Sequence, residues 1–188
     1  MTRLKRYAVF LLAAVYIAAG LRVPAASQTG GSHTISGFPI VYQMPELPTG
    51  CGVTALTMAM HYYGYKVSKT TMAGRYLPTA SPSFHYGSDG RLYGPDMDNY
   101  FVGNPFSLSG YICGAPALCT AADRYFQANN VRMHAKDMTG STPGQLYSLV
   151  EQGVPVVVLV TIGMVDRHSY FSWYSPSNKL MSISHNDH

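Results

Sequence analysis

The stretch QMPELPTGCGVTALTMAMHYYG, Gln43 to Gly64, decides how this chain is read. Val53, Leu56, Met60 and Tyr63 recur at steps of three, four and three, which predicts a helix with one buried face. Thr49 and Gly50 are cap-compatible residues just before it, and Gly64 suits a left-handed C-terminal cap. Cys51 therefore falls in the first turn, where unpaired N–H groups and the positive end of the helix dipole collect. A thiol held there is expected to lose its proton more easily, and the thiolate is the nucleophilic form. Gln43 stands eight residues upstream. The competing reading is that Cys51 is simply a small buried hydrophobe.

Working outward, Arg3, Lys5 and Arg6 precede an uncharged apolar run, Tyr7 to Gly20, and then the small residues Val23 to Ser27. The run is shorter than the ~20 residues of a comfortable membrane span. This is the plan of a secretory signal peptide over residues 1–26, with an uncleaved anchor as the alternative. Residues 27–37 read as a polar linker and 38–188 as one domain. The leader holds four of the 13 Lys and Arg and none of the nine Asp and Glu. The mature chain is then electrically neutral, and nothing suggests a nucleic-acid surface. The expected location is secreted or extracytoplasmic and cell-envelope associated, off the membrane itself once the leader is cleaved.

An oxidising compartment favours cysteine pairing. Three cysteines leave one over. Pairing Cys113 with Cys119 would leave Cys51 reactive.

Beyond the central helix, Phe38 to Gln43 reads as a short strand, and Ser68 caps a helix from Lys69 to Leu77. Thr79 to Gly110 is a Gly-, Pro- and Asn-rich excursion, either a wall of a substrate cleft or merely a long ordered loop. Helices are expected from Pro116 to about Asn130 and from Pro143 to Gly153. Val131 to Ala135 reads as a strand. Val154 to Gly163, VPVVVLVTIG, reads as a strand buried on both faces. Tyr170 to Tyr174 and Leu180 to Ser184 form a predicted hairpin. Helices followed by strands predict an α+β domain, with helices packed on a largely antiparallel sheet.

A thiol protease needs an activated sulfur, an imidazole and donors for the oxyanion. In papain-like enzymes the histidine follows the cysteine by roughly 130–150 residues. His188 lies 137 positions after Cys51. The run P-T-G-C-G-V-T-A-L-T-M with Gln43 before it and Y-Y-G-Y after it resembles the bacteriocin-processing-like cysteine peptidases. These are a papain-like group that includes the double-glycine leader peptidase domains. Y-F-V-G-N-P (Tyr100 to Pro105), G-Y-I-C-G-A-P (Gly110 to Pro116), P-V-V-V-L-V-T-I-G-M (Pro155 to Met164) and the ending H-N-D-H are similar to its secreted, stand-alone branch.

The resemblance implies Cys51 as nucleophile, Gln43 as side-chain oxyanion donor and His188 as base and acid, with His185 and then His168 as competitors. It implies a peptide or protein substrate and no cofactor. In the family the histidine opens a strand, and a later Asp or Asn orients it. No residue follows His188, so the expectation is a C-terminally short domain with an incomplete sheet. Whether such a chain turns over substrate, or only holds peptide, stays open.

His61 falls about 15 Å along the helix from Cys51 at 1.5 Å per residue, so it is no base for that thiol. His33, His85 and His134 read as surface residues. No C-x-x-C or H-E-x-x-H suggests zinc. Asp89, Asp96 and Asp98 suit turn chemistry better than a calcium loop.

Overall fold

The computed structural model describes residues 32–184 and 187–188. The predicted leader over residues 1–26 and the competing His185 lie outside the described residues.

Helix α1 spans Cys51–Tyr62 and buries Val53, Thr54, Leu56, Thr57 and Met60. The two threonines donate their hydroxyls to the carbonyls of Gly50 and Val53, both at 2.8 Å. That satisfies polar groups the core would otherwise leave bare. Tyr63 leaves the predicted face and is 43% exposed. Gly64 takes φ +86°, the left-handed cap that the sequence anticipates.

The predicted helix from Lys69 to Leu77 divides into α2, Lys69–Thr71, and a π-helical turn over Met72–Tyr76. Ser68 caps it through the Thr71 N–H at 3.0 Å. The wider turn puts Met72, Ala73 and Tyr76 into the core. Helix α3, Ala115–Ala128, presents Ala117, Leu118, Ala121, Ala122 and Phe126 to the same core. Its small residues let it lie against α1, where Leu118 packs on Gly52. Helix α4, Pro143–Glu151, opens with a capping box between Thr142 and Gln145, and none of its residues is fully buried.

The strands are short. β1 (Thr79–Ala80) pairs in parallel with β4 (Phe101–Val102). β2 (His85–Tyr86), β3 (Leu92–Tyr93), β5 (Phe171–Tyr174) and β6 (Leu180–Ile183) form a four-stranded sheet in the order β2-β3-β5-β6. Its outer ladders are antiparallel, and Tyr93 meets Tyr174 across a parallel junction. The predicted hairpin is β5–β6, with Trp173 opposite Met181. The fold is α+β with a largely antiparallel main sheet, as expected.

Apolar side chains gather in two clusters. One packs α1, the π-helical turn and α3 around Leu47, Met72 and Ala121, all 0% exposed. The other packs the sheet around Val102, Trp173, Met181 and Ile183. The Trp173 indole N–H donates to the Pro95 carbonyl at 2.7 Å, so the ring is buried without a bare donor.

Several expectations are corrected. Val154 to Gly163 is not a buried strand: Val157, Val158 and Leu159 are 36%, 53% and 45% exposed. A β-branched run becomes a central strand only with neighbours on both edges. Among the described residues this one is paired only with the segment carrying Asp187 and His188. Residues 38–43 form no strand either, and Ile40 and Tyr42 face solvent. Val131 to Ala135 alternates as a strand would, packing Val131, Met133 and Ala135 on the helical core, but it has no ladder partner among the described residues. The excursion from Thr79 to Gly110 is not structureless, since it contributes β1 to β4. Cys113 and Cys119 are both free thiols, so the predicted pair is not formed.

Candidate active site

Cys51 sits at the first position of α1, with Gly50 as its N-cap and no side-chain cap. Thr49, expected as a cap, instead donates its hydroxyl to the Ser107 carbonyl at 3.0 Å. This ties the start of α1 to the far end of the 79–110 excursion. The approach is so close that a Cβ on Gly110 would lie 2.2 Å from the Thr49 hydroxyl oxygen, so that position requires glycine.

Gln43, Cys51 and His188 line one open cleft of about 550 Å³. Leu108, Ser109 and Gly110 form one wall, so the excursion does border the cleft, and Tyr111, Ile162, Tyr170 and Ile183 supply apolar and aromatic surface. Three residues separated by up to 145 positions thus meet at the junction of the helical core and the sheet. His168 is exposed and does not line the cleft.

The Cys51 thiol departs from the expectation. Burial is the largest influence and pushes it up, while its own amide and that of Gly52 pull it down. The net direction is upward, so the helix N-terminus does not make a resting thiolate. Cys113 lies fully buried, its thiol pushed up to about 12 by burial first and then by the Cys51 sulfur.

Gln43 donates one side-chain N–H to the Pro48 carbonyl at 3.0 Å. A carboxamide nitrogen carries two hydrogens, so a second remains for a group in the cleft. The backbone around Gln43 is gathered by Lys69, whose ammonium donates to the carbonyls of Tyr42 and Gln43, the latter at 2.8 Å. It also pairs with the Glu46 carboxylate at 2.6 Å. Sequence reasoning missed Lys69, because 26 positions separate it from Gln43 and no local pattern links them.

His188 is held through its backbone. Its N–H donates to Val160 at 2.7 Å, and its carbonyl accepts from Val160 at 2.9 Å. Beside it, Asp187 accepts two hydrogen bonds from Arg167, Nε to Oδ1 and Nη2 to Oδ2, each 2.8 Å, and one from the Ser184 N–H at 2.8 Å. Burial raises the Asp187 carboxyl, but the Arg167 and Ser184 hydrogen bonds and the Arg167 charge outweigh it and hold the group low. His188 is therefore docked through its backbone rather than loose. Asp187 was visible in the H-N-D-H ending, whereas Arg167 was not signalled.

Among the described residues, no group of three or more His, Cys, Asp or Glu is arranged to hold a metal. No described helix is long and apolar enough to cross a membrane. The arrangement brings a thiol, an imidazole and a carboxamide to the lining of one cleft.

Known proteins resemble this chain over most of its length. Residues 35–186 match the profile of the Peptidase_C39 like family. The uncharacterized protein YvpB of Bacillus subtilis strain 168 is 28% identical over 146 residues, covering 77% of this chain and 53% of the relative. The chain thus spans about half the length of the curated relative it matches. A crystal structure described as a C39-like peptidase, from Bacillus anthracis, superposes with a TM-score of 0.69 at 28% identity, covering 83% of this chain and 74% of that one. A match over most of the sequence, on a fold similar to a solved relative's, shows that the chain belongs to the Peptidase_C39 like family.

Proposed function

We propose that the chain is a secreted cysteine peptidase that cuts peptide bonds in an extended peptide or protein substrate. The observation that carries the reading is the placement of Gln43, Cys51 and His188 around one cleft. Family membership supports a peptidase-like activity, and the leader-like residues 1–26 support export.

The raised thiol sets the order of events. Cys51 begins as S–H, and the His188 imidazole removes that proton as sulfur attacks the scissile carbonyl. The carbonyl π electrons move to oxygen, and the second Gln43 N–H and the Cys51 backbone N–H hold the resulting oxyanion. Collapse of the adduct expels the amine, which takes the proton back from the imidazolium. Water, deprotonated by the same imidazole, then attacks the thioester carbonyl; the C–S bond breaks, and the imidazolium returns its proton to the departing sulfur.

A second reading is a peptide-holding module without turnover, favoured by the same burial that keeps the thiol protonated. One digest separates the two. The protein is incubated with a complex mixture of peptides, and new termini are identified by mass spectrometry. New termini that vanish with both Cys51→Ala and His188→Ala support the peptidase. No new termini from the unaltered chain, or the same termini from Cys51→Ala, reject it.

A further inference from the structure

We infer that Lys69 is a positioning residue for the oxyanion donor: its ammonium sets the backbone of Gln43 and thereby aims the Gln43 carboxamide into the cleft. The inference rests on Gln43 as the oxyanion donor.

The chain turns sharply between Tyr42 and Leu47, and its carbonyls converge on one point. Lys69 Nζ occupies that point. It donates to the Tyr42 and Gln43 carbonyls, reaches the Met44 carbonyl at 3.4 Å and meets Glu46 Oε2 at 2.6 Å. An ammonium has three hydrogens, so Tyr42, Gln43 and Glu46 saturate it and Met44 is a marginal fourth. The Lys69 side chain is only 11% exposed, while Glu46 is 51% exposed. A cation so far out of water is held by the groups that replace its hydration shell. Conversely, loss of the cation takes the ammonium from the Tyr42 carbonyl and leaves the Gln43 carbonyl with only the Leu47 N–H at 3.3 Å.

This cluster adjoins the cleft rather than lining it. The Gln43 side chain is tethered at its tip by Pro48 at 3.0 Å, and its own carbonyl by Lys69 at 2.8 Å. Gln43 is thus held at its backbone and at its side-chain tip. Lys69 opens α2, whose cap is formed by Ser68, and the Gln43 segment leads into α1. The ammonium therefore links two elements, which is why no motif within either reveals it. Oxyanion stabilisation depends on donor placement, and a shift of about 1 Å can lower a rate by 10²-fold. A lysine that never meets substrate can therefore govern the rate.

The test uses two reagents on the same sulfur, read by the mass added at Cys51. Acetylation by p-nitrophenyl acetate passes through a tetrahedral oxyanion. Alkylation by iodoacetamide displaces iodide and forms none. Lys69→Met keeps the apolar stem and removes the charge. It should slow acetylation by about 10- to 100-fold and leave alkylation unchanged. Lys69→Arg keeps the charge and the donors and should stay much closer to the parent. In a Gln43→Ala background, Lys69→Met should add little, because its effect is exerted through Gln43.

Equal slowing of acetylation and alkylation by Lys69→Met would mean a general structural role and overturn the inference. So would the same loss in Lys69→Arg, or full additivity with Gln43→Ala. If Gln43→Ala slows acetylation and Lys69→Met does not, only the clamp fails. If Gln43→Ala itself leaves acetylation intact, the oxyanion role of Gln43 falls and the clamp with it.

Discussion

Val160 and His188 exchange both of their backbone hydrogen bonds, at 2.9 and 2.7 Å. With the neighbouring bridge between Thr161 and Asp187, this forms a short antiparallel contact that fixes the candidate base. Proline at 160 removes one donor and disturbs the pairing. Val160→Pro should lower kcat by about 10- to 100-fold through lost orientation of the imidazole. Iodoacetamide labelling of Cys51 well above pH 9.0, where the thiol does not need the imidazole to ionise, should not change. Steady-state kinetics with labelling as the control checks this, and an unchanged kcat would show that the contact does not position His188.

Arg167 holds Asp187 through two hydrogen bonds and its charge, against a burial influence that acts upward. Because the folded-state carboxyl lies below its ordinary value of 3.8, its stabilising contribution is complete above that pH. It is lost as pH falls through the lowered value. In Arg167→Met the burial influence loses its main opponent, so the carboxyl rises and the loss begins at higher pH. Acid unfolding should have a midpoint displaced toward neutrality relative to the parent. An unmoved midpoint would separate Asp187 from acid stability.

The opposite sign applies to Cys113. Its thiol is pushed from 9.0 up to about 12, chiefly by burial. The native state therefore favours the neutral thiol. That contribution is complete below pH 9.0 and is lost between there and about 12 as the unfolded chain ionises. Cys113→Ala should flatten the fall of stability over this window, measured by urea unfolding at a series of pH values. An alkaline limb as steep as the parent's would refute the assignment.

Trp173 is 1% exposed, and its ring lies 5.3 Å from Phe84 and 5.4 Å from Phe171 between centroids. Trp173→Ala should reduce unfolding stability by about 3–5 kcal/mol. Trp173→Phe keeps most of the packing but strips the Pro95 carbonyl of its donor, and should cost about 1–3 kcal/mol. Denaturant unfolding of both variants checks the order. A phenylalanine variant as unstable as the alanine one would place the weight on the hydrogen bond.

Local signals made α1, α3 and α4 legible: a buried apolar stripe wrote α1, and prolines in the first turn marked α3 and α4. The β5–β6 hairpin was legible for the same reason, from a turn between two short apolar runs. Val154 to Gly163 misled because composition records suitability for a central strand, not the presence of neighbours. The strands inside 79–110 were hidden because two-residue ladders such as Thr79–Ala80 with Phe101–Val102 are set by tertiary contacts alone. In the site, Cys51 and Gln43 share one motif and could be read together. The thiol's upward shift could not, since it arises from the surroundings of Cys51 and not from the helix that carries it. Arg167 and Lys69 act across 20 and 26 positions, on Asp187 and Gln43 respectively, so no spacing rule points to them.

The partnership between His188 and a protonated Cys51 is tested most directly by the acetylation rate of Cys51 with p-nitrophenyl acetate in His188→Ala. The expected result near neutral pH is a loss of about 10²-fold or more. Iodoacetamide alkylation well above pH 9.0, where solvent hydroxide ionises the thiol, should stay at the parent rate. Acetylation that is as fast without the imidazole, while still confined to Cys51, would contradict the assignment of His188 as the base.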